Sequence, residues 1–210
     1  MELNLYTIPM YSALVPIVFG VIQIGKIRNY LLPLFILVLC SFTSDMLTYY
    51  VKATRGYTWT VYTIIEFILL SAIYYHEMNL NLIRKIIRYS IPVYIVYAIL
   101  YIFFFKDFDL FLPDLILVST FYFIIIAVYT FISLIEIRNS NNLFSYPFFW
   151  INTALFMYFS GTMFITVAYN IVSMYEVWQL WPYFHNTLNM SKNLIFAYAF
   201  FVNYQKINKT

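Results

Sequence analysis

A single cysteine, Cys40, occurs in this 210-residue chain, so neither a disulfide framework nor a thiolate metal site can be built from it. There are only four glycines and seven prolines, which excludes a low-complexity or disordered chain. Charge is sparse as well: Asp, Glu, Lys and Arg make up 10% of the residues, against roughly 25% in an ordinary soluble domain. The two histidines, His76 and His185, are expected far apart, which disfavours a histidine-based metal site. No nucleotide-binding loop, nucleophile elbow or zinc-protease motif occurs, so no enzymatic activity is expected. A nucleic-acid partner is not expected either.

What the chain does have is apolar surface. Hydrophobic residues reach 63% and aromatics 23%, with 22 Tyr and 22 Phe. A water-soluble fold of this length has too little interior to hide that much. The expected solvent is a lipid bilayer, and the expected fold class an all-α integral membrane protein. About 20 apolar residues cross the hydrocarbon core. Seven stretches qualify: about 5–25, 30–51, 58–76, 87–105, 111–135, 146–172 and 179–204. The first, within MELNLYTIPMYSALVPIVFG, lacks a basic leader and a small-residue cleavage site, so it is expected to be a retained helix. Short connections join the stretches, and a single seven-helix transmembrane domain over residues 1–210 is expected.

Orientation is read from the basic residues between spans. Lys26, Arg28, Arg84, Lys85, Arg88, Arg138, Lys206 and Lys209 fall on one side, and Lys52, Arg55 and Lys106 on the other. This asymmetry predicts an outside N-terminus and a cytoplasmic C-terminus in a multi-pass inner-membrane protein. Trp59, Trp178 and Trp181 fall near the expected outer ends, where interfacial tryptophans belong. IQIGKIRN (Ile22–Asn29) matches ISLIEIRN (Ile132–Asn139) at four of eight positions, and FTSDM (Phe42–Met46) is echoed by FSGTM (Phe159–Met163). Those echoes are compatible with a three-plus-one-plus-three parallel repeat.

Three charged residues lie within the expected spans: Asp45, Glu66 and Lys192. An ionisable group at membrane depth costs about 2.5 kcal/mol or more, so it faces the bundle interior and finds company. At 3.6 residues per turn, His185, Asn189, Lys192 and Asn193 share one face of the last helix, with Asn186 at its edge. Ser41, Ser44, Asp45 and Thr48 share a face of the second span, and Trp59, Tyr62, Thr63 and Glu66 one of the third. Ser160, Gly161 and Thr162 add small and hydroxylated residues to the sixth. Lys192 is expected to pair with Glu66 or Asp45. The pattern is that of a pocket tilted toward the outer half of the membrane, binding a small polar or anionic ligand. A charge pair that serves only helix packing is the plainer alternative.

The last third of the chain resembles a family of short seven-helix membrane proteins common in Bacteroidetes. The resemblance is carried by Phe149, Trp150, Tyr158, Phe159, Ser160, Gly161 and Thr162, then by His185, Leu188, Asn189, Lys192, Asn193, Phe196 and Ala197. It implies an inner-membrane protein acting beside signalling proteins. A lysine in the seventh helix with a carboxylate in the third is similar to retinal proteins, which would place retinal on Lys192; their arginine and aspartate pattern in the third helix is absent. Otherwise no cofactor is expected. Length and layout resemble the sugar-transporter and PQ-loop group, although no PQ dipeptide occurs. That likeness implies pocket residues at Glu66 and at Asn193 or Lys192.

Three functions follow as expectations. The first is a receptor or sensor component that signals through a membrane or cytoplasmic protein partner, with the C-terminal YQKINKT among the exposed contact candidates. The second is a small-solute or proton-coupled transporter using the same pocket. The third is a structural subunit of a membrane complex.

Overall fold

The computed structural model describes residues 7–27, 30–51, 55–78, 80–105, 113–137, 143–171 and 174–208, with the backbone alone at 7, 55, 105, 113, 137, 169–171 and 174–182. Arg28, Lys52, Lys106, Arg138 and Lys209, used above for orientation, lie outside the described residues, as do the side chains of Arg55, Trp178 and Trp181. All regular structure among the described residues is helical: α1 (Thr7–Ser12), α2 (Leu14–Ile22), α3 (Leu31–Tyr50), α4 (Arg55–Glu77), α5 (Asn81–Phe105), α6 (Pro113–Ile137), α7 (Pro147–Ile171) and α8 (Met174–Asn208). Five of these, α3 to α7, are long and apolar enough to cross a membrane. The apolar helical run through α1 and α2, Ile8–Ile22, is shorter.

The first expected helix is interrupted at Ala13, and proline chemistry explains the break. Pro16 has no N–H to return to the Ser12 carbonyl, and its ring crowds that carbonyl. The ladder tightens there: the Ala13 N–H donates to the Met10 carbonyl at 3.3 Å, three residues back. Pro9, whose carbonyl would otherwise have taken that bond, receives the Ser12 hydroxyl at 2.5 Å instead. Elsewhere proline does no harm. Pro113 and Pro147 open α6 and α7, where their missing N–H would have had no partner in any case. Pro92 falls inside α5, on its exposed face.

The chain divides into two compact units, one of residues 1–26 and 117–210, the other of residues 27–116. In the first, α6 and α7 run antiparallel. Phe123 stacks on Phe159 at 5.2 Å, Asn152 Nδ2 donates to the Ala127 carbonyl at 3.0 Å, and Phe131 meets Phe149 and Phe156 edge-on. The helices α7 and α8 are also antiparallel, as Trp150 on Tyr198 and Tyr158 beside His185 require. By contrast, α1–α2 and α8 run parallel: Ser12 meets Asn193, and Gln23 meets Asn203.

In the second unit, α3 buries Leu31, Leu34, Leu37, Val38, Ser41 and Ser44, a stripe at helical spacing, and packs on α4. On the next helix pair, Phe67 of α4 stacks flat on Tyr94 of α5 at 3.9 Å. Its opposite face carries Val93, Val96, Leu100, Phe103 and Phe104, with Phe104 72% exposed. So wide an apolar surface suits hydrocarbon and not water. The five apolar spans and this outer surface make the protein a multi-pass membrane protein.

Candidate functional site

The candidate site lies in the first unit, on the face of α8 that meets α7 and α1. Lys192 is the charged residue at its centre and is only 4% exposed. A helical side chain leans toward the helix N-terminus, so the Lys192 ammonium sits about one turn before its own Cα, level with Leu188 and Asn189. There α7 presents the face of Tyr158, whose ring centre is 4.0 Å from Lys192 Nζ. A cation over a buried aromatic face gains about 2 kcal/mol or more, which offsets much of the burial cost. The same ring lies 6.0 Å from the His185 imidazole, so one tyrosine touches both basic residues of the face.

Close approach of α7 and α8 depends on Gly161. A Cβ at that position would overlap the Leu188 side-chain methyls, so Leu188 packs directly over the glycine backbone. One residue on, Thr162 donates its hydroxyl to the Tyr158 carbonyl at 2.8 Å, and Thr166 does the same to Thr162 at 2.8 Å. Because these hydrogens are turned back along α7, the buried Thr162 oxygen faces its surroundings as an acceptor. Ser160, on another side of α7, is half-exposed.

On the other flank, Asn193 Nδ2 donates to Ser12 Oγ at 2.9 Å. The hydroxyl that caps the α1 break is thus also the acceptor that anchors α1 to α8. Asn189 completes the face. It is 6% exposed, and among the described residues nothing donates to its Oδ1. A buried amide oxygen left in that state costs about 1–3 kcal/mol.

Three turns further along α8 lies a second polar contact. Gln23, at the C-terminal end of α2, donates from Nε2 to the Phe19 carbonyl at 3.2 Å and the Phe200 carbonyl at 3.0 Å. Its Oε1 accepts from Asn203 Nδ2 at 2.9 Å. Buried Phe196 and Phe200 separate this contact from Lys192 along α8.

The remaining residues expected at a site belong to the second unit. Tyr62 donates its hydroxyl to Glu66 Oε1 at 3.1 Å, one turn away on α4, and Thr63 donates to the Trp59 carbonyl at 2.9 Å. Ser44 is buried on α3, and Asp45 beside it is half-buried. The structure therefore gathers His185, Asn189, Lys192, Asn193 and Thr162 in one unit, and gathers Ser44, Asp45, Tyr62, Thr63 and Glu66 in the other. His76 is exposed in the last turn of α4. Among the described residues, no group of three or more His, Cys, Asp or Glu side chains could hold a metal ion.

Sequence reasoning did not find Ser12 or the Gln23–Asn203 contact. A signal existed for the second: Gln23 and Asn203 are lone amides in apolar runs, each about three turns beyond Ser12 and Asn193 respectively. It likewise missed Tyr158 as the partner of Lys192, since one tyrosine among 22 carries no mark. No family model, curated protein or solved structure matches the chain.

Proposed function

We propose that the protein is a non-enzymatic receptor or sensor component of the inner membrane, which recognises a small polar or anionic ligand on the α7–α8 face and signals through a protein partner. The observation that carries this reading is the burial together, on one face of α8, of Lys192, Asn189 and Asn193. Each is costly in hydrocarbon, and a packing role for one lysine would not call for the neighbouring amides. A seven-span arrangement with the N-terminus outside is part of the reading. It draws support from the parallel course of α1–α2 and α8, because a first and last span in the same direction leave the two termini on opposite sides.

Native mass spectrometry of protein purified gently from its own membranes, beside Lys192→Ala, tests the reading. A bound small molecule or lysine adduct present in the wild type and lost in the variant is the expected result. Bare protein in both samples, or a protein partner alone in both, would refute it in favour of an assembly role.

One observation favours transport as a second reading. The buried polar groups of α8 occur as two clusters, around Lys192 and at Asn203, with an aromatic block of Phe196 and Phe200 between them. A path opened alternately on either side of such a block is how a transporter exposes its site to one face at a time. Uptake of labelled solute into vesicles separates the two readings.

A further inference from the structure

We infer that the ligand of this site is a small hydroxycarboxylate: an anion that carries its own neutral hydroxyl donor. The inference rests on the ligand-binding reading above and narrows it to a chemical class. Two groups define the class. The Lys192 ammonium, buried and held over Tyr158, favours an anion by its charge. Within one helical turn of it, the Asn189 Oδ1 is an acceptor that no described group satisfies. A residue at i and another at i+3 on a helix are neighbours about 5–6 Å apart at Cβ. The lean of the lysine toward the helix N-terminus brings its charge closer still. Thr162 adds a second acceptor oxygen on α7, level with Leu188 through the Gly161 contact.

A simple carboxylate or halide would satisfy the lysine and leave both acceptors dry. An amino acid would bring donors, but as a second ammonium beside Lys192, where like charges in a low-dielectric setting repel. A hydroxyl is the donor that carries no charge. Placed on the second or third carbon of a short acid, it lies a few ångströms from the carboxylate, a separation that matches the Lys192–Asn189 pair. Sites built to hydrogen-bond a hydroxyl reject analogues that lack it far more strongly than they reject a change in apolar size.

The test is calorimetric titration of the full-length protein in lipid nanodiscs with two matched pairs: lactate against propionate, and 3-hydroxybutyrate against butyrate. The wild type should bind the hydroxylated member of at least one pair ten-fold or more tightly than its partner. Asn189→Leu should bring that hydroxy acid down to the level of the plain acid. Equal binding within both pairs overturns the inference. So does a preference that survives Asn189→Leu, or no binding of any of the four acids. The wild-type comparison stands alone if the variant does not fold. A ligand seen by native mass spectrometry and lost in Lys192→Ala, with no acid bound, would reject the hydroxycarboxylate and leave the receptor reading standing.

Discussion

The ammonium of Lys192 on α8 lies 4.0 Å from the ring centre of Tyr158 on α7, face-on to the aromatic system. The contact ties the one buried lysine among the described residues to the residue that also touches His185. Its energetics can be separated from its shape. Tyr158→Phe keeps the ring and should melt within a few degrees of the wild type. Tyr158→Leu removes the π face and should destabilise by about 2 kcal/mol. With Lys192→Met in the background, the same Leu substitution should cost much less; equal costs in the two backgrounds would show that the pair is not coupled.

Gly161 and Leu188 set how closely α7 and α8 approach. Gly161→Ala should lower the melting temperature in detergent, at about 1–3 kcal/mol, since its methyl lands on the leucine. The clash involves a side-chain end and not backbone, so Leu188→Ala in the same chain should restore part of the loss. An unchanged melt for Gly161→Ala alone would mean that the helices are farther apart than described.

The Gln23 amide serves three partners at once: two carbonyls and the Asn203 amide. Gln23→Leu strips all three and should cost about 2–3 kcal/mol, more than Ser12→Ala, which loses the single bond from Asn193. Interhelical hydrogen bonds in membranes average only about 0.6 kcal/mol, so Ser12→Ala should sit near that value. Adding Asn203→Leu to Gln23→Leu removes the stranded amide and should recover stability. Chemical denaturation of the four proteins in one detergent reads the order.

The outward face of α5 makes a prediction about surroundings. With native Cys40 replaced by serine, a cysteine at Val96 or Leu100 should resist a water-soluble thiol reagent in intact membranes and react once the protein is unfolded. A cysteine at Lys85, exposed at the start of α5, should react in both. Ready labelling at Val96 in membranes would place that face in water.

Much of the architecture was legible because hydropathy is local. A run such as Leu31–Tyr50 declares itself from its own composition, and the expected span of 30–51 agrees with α3 to within a residue at each end. The span expected at 146–172 is α7, Pro147–Ile171. Ends marked by charge were harder. The fourth span, expected from 87, begins at Asn81 because Arg84, Lys85 and Arg88 are good helix formers that extend the helix beyond its apolar part. The break at Ala13 was written in Pro16 but was outweighed by the apolar run around it.

The face of α8 was legible for the same reason: His185, Asn189, Lys192 and Asn193 follow the period of a single helix, which needs no neighbour to define it. What they meet was not. The sequence alone determined an all-helical membrane chain with an expensive polar stripe near its end, since lipid solubility and helical period are properties of short segments. Only the tertiary structure decided that the lysine faces Tyr158, that Ser12 receives Asn193 and that Gln23 receives Asn203. Those contacts join residues 34 to 181 positions apart. They depend on how far each helix slides against the next, which is set by small steric facts such as the missing Cβ at Gly161 and the missing N–H at Pro16.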